Sequence, residues 1–270
     1  MYSLLRNTRL LLSQGKIFWR EVGLGPDLVF LHGSWHDSNQ WLPIINNLSK
    51  DNHCLAPDLL GFGDSEFPNV HHSIDLAADC LAEYLDALKL DKVYLVAHSL
   101  GAWVAASYAL KYLDRVKGLI LIAPEGVEVS SLKGRRFRAR LLGSPLCLPV
   151  WLWRSLFPLA KLFGLEKKLK SQLQLRLKMR YSPTANHLLF RRRWAEIKAE
   201  LLTEHLSYLK VPTLILQGSE DSKTALSMSK AYADSIPKAK LQIIEGGSNS
   251  LTEEMPEAIA QLIKDFLTFN

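Results

Sequence analysis

Short, uniformly apolar runs alternate with helical patterns along most of this 270-residue chain. The runs Leu28–Leu31, Val93–Ala97 and Gly118–Ala123 lack the polar alternation of a half-exposed strand, and they are typical of strands buried on both faces. Between the first two runs, the candidate N-cap Ser73 opens a stretch with apolar residues at three-and-four spacing, which indicates an amphipathic helix. We therefore predict an α/β fold with a mostly parallel central sheet covered by helices on both faces.

The same alternation resumes late in the chain, after a long interruption. It predicts two strands, Thr213–Gln217 and Leu241–Ile244, and two helices, Ala225–Ser235 and Pro256–Phe269. Residues 16–20 predict a further strand early in the chain. The interruption divides the chain into a predicted core, residues 1–125 and 209–270, and a helical insert, residues 126–208. Ligands of such sheets bind at the carboxyl ends of the strands, so we expect functional residues in the loops that follow them.

The insert differs from the rest of the chain in charge. It contains 17 Lys or Arg and 5 Glu with no Asp, whereas the other residues contain 16 basic and 22 acidic side chains. The chain's formal net charge of +6 therefore comes from the insert alone. Its cations alternate with aromatic residues at Arg135–Arg140, Trp151–Phe157 and Arg191–Trp194. This pattern suits an anionic membrane surface, and a solvated basic face is the equal alternative; without a nucleic-acid-binding motif, nucleic acid is not expected.

The segment Ala97–Gly101, with the sequence Ala-His-Ser-Leu-Gly, joins a predicted strand to a predicted helix. This is the setting of a nucleophile elbow, a tight turn that presents a serine hydroxyl above the sheet edge. Such a turn requires small residues two positions before and two after the serine, as Ala97 and Gly101 are. Ser99 then stands at a helix N-terminus, where partial positive charge favours an anion. The alternative is a Ser-x-Gly sequence that occurs by chance in a strand-to-helix turn.

Two further motifs accompany the elbow. His32–Trp35, with the sequence His-Gly-Ser-Trp, follows an apolar strand, and Pro57–Ser65 has the pattern P-D-x-x-G-x-G-x-S. Together the three motifs resemble the α/β-hydrolase superfamily, and the resemblance covers nearly the whole chain. It implies that the insert is a lid and that the backbone N–H groups of Ser34 and Leu100 form an oxyanion hole. Each such donor stabilises a tetrahedral intermediate by about 3–4 kcal/mol. Asp58 is expected to shape a turn rather than to take part in chemistry.

The resemblance also places the acid of a catalytic triad after a late strand, in the segment Gln217–Asp221. Asp221, three residues after a glycine, fits this position best, and Glu220 is the neighbouring competitor. Glu125 follows an earlier strand, where some members of the family keep their acid instead. A solvent-exposed acidic turn is the alternative without a functional role.

The triad base is missing from its expected position. Counting back from Pro256, Asn249 stands where the family has histidine, and no histidine follows His205. An amide cannot accept a proton near neutral pH, and loss of one triad member costs several orders of magnitude in rate. Two other histidines could substitute, and neither is favoured. His36 lies in the loop that begins with the motif His32–Trp35, called the oxyanion loop below, and His98 lies in the elbow. The other histidines are expected to be solvated or packed in the structure and not to act as the base. They are His53, His71, His72, His187 and His205.

Two classes of function remain open from the sequence. The first is a serine hydrolase that acts on a hydrophobic carboxylic ester or lipid through an acyl-enzyme at Ser99, with Asp221 as acid and activity crippled by Asn249. The second is a hydrolase-fold protein that binds a lipid, a membrane surface or a partner without turnover. No motif for a cofactor or metal is found. Without a signal peptide or a membrane-spanning run, we expect a cytoplasmic protein, with the basic lid allowing peripheral membrane attachment.

Overall fold

The computed structural model describes residues 4–142, 161 and 166–269. These residues form an eight-stranded sheet with the strand order β1-β2-β4-β3-β5-β6-β7-β8. β2 runs antiparallel to β1 and to β4, and the other neighbouring pairs are parallel, which confirms the predicted mostly parallel sheet. The strands are β1 (Arg6–Leu12), β2 (Gly15–Val22), β3 (Asp27–Leu31), β4 (His53–Pro57), β5 (Val93–His98), β6 (Val116–Ile122), β7 (Thr213–Gly218) and β8 (Ala239–Ile244).

Burial follows the composition of the strands. All residues of β5 and β7 are buried, and β3 and β6 each have one residue that is not. β1 is exposed along most of its length and pairs with β2 as a hairpin at the sheet edge. The apolar runs did not predict β1, because an exposed edge strand needs no continuous apolar sequence.

Helices flank the sheet in the order that the periodicity predicts. The Ser73 hydroxyl accepts the N–H of Leu76 at 2.9 Å, so its predicted role as N-cap is confirmed. A core cluster includes Phe30 of β3, Trp41 and Ile263, all of them fully buried. The described α-helices are α1 (Leu42–Leu48), α2 (Ile74–Ala87), α3 (Leu100–Lys111), α4 (Leu132–Leu142), α5 (Glu166–Tyr181), α6 (Pro183–Asn186), α7 (Trp194–Glu200), α8 (Lys223–Ser235), α9 (Leu251–Glu254) and α10 (Pro256–Phe269).

The chain divides into two compact units, residues 1–129 with 198–270 and residues 130–197. The first unit contains the sheet. The second, which falls inside the predicted insert, is helical in its described part, and its role as a lid stays a prediction. The aromatic run Trp151–Phe157 lies outside the described residues. Over the ranges described, no helix combines the length and apolar character needed to cross a bilayer.

Candidate functional site

Ser99 occupies a strained turn between β5 and α3. Its φ of +52° and ψ of −111° form a conformation that non-glycine residues rarely adopt, at a cost on the order of 1–3 kcal/mol. The turn is held from both sides, because the Ser99 N–H donates to the Ile122 carbonyl (2.9 Å) and the Ser99 carbonyl accepts from Ala102 N–H (3.1 Å). The structure thus has the tight strand-to-helix turn that the sequence predicts.

The glycine two positions after Ser99 is sterically required. A Cβ at Gly101 would lie 2.5 Å from the carbonyl oxygen of Leu31, closer than van der Waals contact allows. Ala97 is fully buried at the end of the strand. Because Leu100 is the first residue of α3, its N–H is one of the groups at a helix start that have no acceptor within the helix. The role of this N–H as an oxyanion-hole donor stays a prediction.

The loop after β3 packs directly against this turn. A Cβ at Gly33 would lie 2.5 Å from Nδ1 of His98, so only glycine allows the approach. Ser34, the other predicted oxyanion donor, is buried in the same loop. His32 is fully buried, and burial lowers its pKa, so the ring is neutral. Its Nε2 accepts the N–H of Leu59 at 3.0 Å, which fixes the start of the loop.

Gln40 joins three segments of the site through one buried carboxamide. Its Oε1 accepts the N–H of Gly33 at 3.0 Å, and its Nε2 donates to Nδ1 of His98 and to Oγ1 of Thr252, both at 2.8 Å. Sequence patterns missed Gln40 and Thr252 because these residues are 212 positions apart and belong to no motif. Only the folded chain reveals that the elbow, the oxyanion loop and α9 share this partner.

His98 is locked in a structural role by these contacts. Since Gln40 donates to Nδ1, the hydrogen-bond network assigns the proton to Nε2, which donates to the carbonyl oxygen of Asn249 at 3.1 Å. The lone pair of Nδ1 is already engaged, so His98 cannot accept a proton from Ser99 without losing its bond to Gln40. The geometry agrees with the prediction that His98 is not the base.

Two other histidines, His36 and His53, lie within ion-pair distance of carboxylates. Nε2 of His36 lies 2.9 Å from Oε1 of Glu253 in α9, and the His36 ring centroid lies 5.8 Å from that of His98. His36 therefore ties the oxyanion loop to α9, the helix that follows the loop containing Asn249. His53 bridges Asp27 and Glu21 on neighbouring strands, at 2.7 Å and 3.1 Å, as expected of a packed histidine.

Asp221 and Asn249 are brought together by two loops in close contact. Nδ2 of Asn249 donates to Oδ2 of Asp221 at 3.4 Å, and the same oxygen accepts from Nε2 of Gln217 at 3.0 Å. A Cβ at Gly218 would lie 2.3 Å from the Gly247 carbonyl oxygen, which shows how closely the loops approach. Of the two competing acids in this segment, Asp221 is the one that meets Asn249. The Ser99 hydroxyl is not among the atoms that these hydrogen bonds connect.

Asp58 organises a turn beneath the oxyanion loop. It is buried, and its two carboxylate oxygens accept the N–H groups of Ser38 (2.6 Å) and Asp64 (2.7 Å). Gly63 has a φ of +51°, and a Cβ there would lie 2.1 Å from Oδ2 of Asp58. These contacts give Asp58 the turn-shaping role predicted for it. Across the described ranges, no group of three or more His, Cys, Asp or Glu side chains is arranged to hold a metal ion.

Comparison with known proteins relates this geometry to a family. A model of the alpha/beta hydrolase family matches residues 28–262. The 2-hydroxymuconate semialdehyde hydrolase of Pseudomonas sp. (strain CF600) is 27% identical over 265 residues, spanning 92% of this chain and 88% of that protein. Monoacylglycerol lipase ABHD6 of Homo sapiens is 28% identical over 267 residues, spanning 91% and 76%.

A solved structure shows the same fold at lower identity. The crystal structure of a membrane phospholipase A, described as a bacterial virulence factor, matches with a TM-score of 0.76 at 22% identity. The match covers 98% of this chain and 86% of that one. At this identity the likeness supports the fold alone.

Proposed function

This chain belongs to the alpha/beta hydrolase family, and from that premise we propose that it is a serine hydrolase acting on a hydrophobic carboxylic ester or lipid. In this proposal Ser99 forms the acyl-enzyme, and turnover is slow because Asn249 stands in place of the base. The observation that carries the proposal is the strained backbone of Ser99. Glycine would adopt the same φ without a Cβ penalty, so a serine kept there at an energetic cost indicates use of its hydroxyl.

The proposed reaction begins with attack of Ser99 Oγ on the ester carbonyl carbon. As the new C–O bond forms, negative charge develops on the carbonyl oxygen, and the N–H groups of Ser34 and Leu100 stabilise it. The tetrahedral intermediate then expels the alcohol, leaving an acyl group on Ser99. Water attacks this acyl-enzyme, releasing the carboxylic acid and restoring the hydroxyl.

The slow steps are the proton transfers. The proton of Ser99 has to leave during attack, and the departing alkoxide has to gain one. A neutral histidine would accept and return that proton, whereas the amide of Asn249 cannot. In this chain solvent water carries the proton in both directions. General base catalysis contributes about 10²–10⁴-fold, so acylation and deacylation are slowed by factors of that order.

The substrate class is supported by the relatives. One of them is named a monoacylglycerol lipase, and a monoacylglycerol is a lipid with a carboxylic ester bond. The predicted lid is rich in apolar residues, which favours a hydrophobic acyl group over a polar one. No cofactor enters the proposed reaction.

Asn249 also supports a second candidate function, in which the site binds a lipid without turning it over. Asn249 donates a hydrogen bond to Asp221, as the histidine of a triad would, but its amide does not titrate. The basic insert would then attach the protein to an anionic membrane surface, to which each nearby Lys or Arg contributes about 1 kcal/mol. Sedimentation with anionic and neutral liposomes at low and high salt tests this attachment. Binding that is indifferent to lipid charge and to salt would contradict it.

The two candidates are separated by comparing the parent protein with Asn249→His. Because the side chain at 249 already reaches Asp221, we expect a histidine there to donate one ring N–H to Asp221 and to use its other nitrogen as a base toward Ser99. A fluorophosphonate reagent reports nucleophilicity, and short and long p-nitrophenyl esters report turnover. We expect slow labelling and slow hydrolysis in the parent, both raised about 10²-fold or more in Asn249→His.

Two controls make the comparison decisive. Ser99→Ala should abolish labelling in either background, and Asn249→Gln should leave the parent's rates unchanged because it restores no base. If the parent neither labels nor hydrolyses while Asn249→His does both, the catalytic proposal fails and the binding function is favoured. Equal rates in the parent and Asn249→His would refute the claim that Asn249 disables the site.

A further inference from the structure

One face of α4 combines cations with exposed apolar side chains around an open cleft. Positions 133, 136, 137, 140 and 141 recur at three-and-four spacing, which places them on one face of the helix. The cleft lies within the second compact unit and has a volume of about 450 Å³, within the range of small-molecule sites. It is lined by Lys133, Arg136, Phe137, Arg140, Leu141 and Trp194.

Arg136 is the fixed part of this cleft. The residue is only 6% exposed, and its guanidinium carbon lies 5.4 Å from the centre of the Trp194 ring. Its terminal nitrogens donate to the backbone carbonyls of Leu189 and Arg192. These acceptors orient the guanidinium but carry no charge, and no described carboxylate forms an ion pair with it. The ammonium group of Lys133 lies 5.5 Å from the same indole ring.

The surroundings of Arg136 concentrate positive charge. Residues 130–197 contain 16 Lys or Arg and 2 Glu. Burial, followed by repulsion from Arg140, Arg192 and Arg135, lowers the pKa of Arg136 to about 10, so the group is still protonated at neutral pH. Like charges held this closely raise the local potential, and a bound anion would relieve it.

Apolar surface lies beside these cations. Phe137 is 65% exposed and Leu141 is 55% exposed, and both line the cleft. Large apolar side chains left in contact with water next to a charged cluster are a common sign of a binding surface. A ligand that complements both features has an anionic end and a hydrocarbon end.

We propose that this cleft binds a single-chain lipid that has a phosphate headgroup. The phosphate contacts Arg136 and the flanking Lys133 and Arg140, and the first part of the acyl chain covers Phe137 and Leu141. Phosphate suits the cleft better than carboxylate, because a phosphate monoester carries about −1.5 to −2 charges at pH 7 and three acceptor oxygens for several cations. The planar guanidinium of arginine matches that geometry. The site does not depend on catalysis at Ser99.

The test is a calorimetric titration of the full chain with three ligands. The first is a lysophosphatidic acid below its critical micelle concentration. The second is the monoacylglycerol of the same chain length, which lacks the phosphate, and the third is glycerol 3-phosphate, which lacks the chain. We expect the complete ligand to bind at least about tenfold more tightly than either part.

Matched variants assign the binding to the cleft. Lys133→Gln with Arg140→Gln removes two exposed cations from it, and affinity for the lysophosphatidic acid should fall about tenfold or more. Arg138→Gln removes one exposed cation from the same helix outside the cleft, and it should change affinity less than about twofold. Circular dichroism confirms that each variant remains folded.

Four outcomes would overturn the proposal. Equal binding of the monoacylglycerol would indicate an apolar groove, and equal binding of glycerol 3-phosphate would indicate a phosphate site without a lipid. An equal loss in Arg138→Gln would show that general positive charge accounts for the binding. Binding to anionic phospholipid vesicles with none to the monomeric lipid would show a membrane surface instead of a cleft.

Discussion

Replacing Gln40 with methionine tests the network that holds three segments of the candidate site together. Methionine has a similar length and volume but no carboxamide. The N–H of Gly33, Nδ1 of His98 and the hydroxyl of Thr252 therefore lose their common partner at once. His98 and Thr252 are almost fully buried, so water has little access to replace the lost bonds.

The expected loss follows from these three groups. A buried polar group left without a partner costs about 1–3 kcal/mol. The Thr252 hydroxyl can rotate and neighbouring effects do not add fully, so we expect a loss of about 3–4 kcal/mol in the free energy of unfolding. For a chain of this size, that loss corresponds to a fall of roughly 5–7 °C in the thermal midpoint.

Urea denaturation and thermal unfolding of the two proteins measure this loss. Asn39→Met is the matched control, because Asn39 is the preceding residue in the chain but is exposed. Its effect should stay within about 0.5 kcal/mol. A loss below about 1 kcal/mol in Gln40→Met, or one no larger than in the control, would refute the reasoning that Gln40 satisfies three buried groups.

Three further predictions concern the elbow and the sheet. Gly101→Ala should cost about 1–3 kcal/mol or prevent folding, because its Cβ would lie 2.5 Å from the Leu31 carbonyl oxygen, and an unchanged urea midpoint would contradict this. Ser99→Gly should abolish fluorophosphonate labelling while raising stability by about 1 kcal/mol, since it relieves the positive φ; a lower thermal midpoint would argue against strain. Burial raises the pKa of Glu21, but the hydrogen bonds from His53 and Trp19 and the nearby charges of Arg6 and His53 together outweigh it, and the net shift is downward from 4.5. The stability from Glu21 is therefore present above that value and lost as pH falls below it, so Glu21→Gln should flatten the acid limb of stability against pH, and parallel curves would count against this.

The fold was predictable to a large extent from local patterns. The buried strands β3, β5, β6 and β7 consist of continuous apolar residues, because a strand covered on both faces has no polar side. β1 was not predicted, since its residues are mostly exposed and its position depends on pairing with β2. Pairing between strands is a long-range property that no local window contains.

The candidate site, like the fold, was predictable only in the part that depends on local sequence. The elbow at Ser99 and the absence of histidine at Asn249 are visible in the sequence, because a tight turn demands small neighbours and an amide is chemically unlike an imidazole. Asn249 contacts Asp221, and the assignment of these two residues to the base and acid positions stays a prediction. The role of Gln40 could not be predicted from the sequence, because Gln40 belongs to no motif and its three hydrogen-bond partners come from separate segments of the chain.

The sequence by itself thus determined the alternation of strands and helices, the position of the elbow and the charge of the insert, all of which depend on residue type and local spacing. Only the tertiary structure decided that His98 is held as a neutral tautomer between Gln40 and the Asn249 carbonyl, and that His36 is paired with Glu253. The protonation and reach of a side chain depend on which groups surround it. Those groups are brought together by the packing of distant segments, which the order of residues does not display.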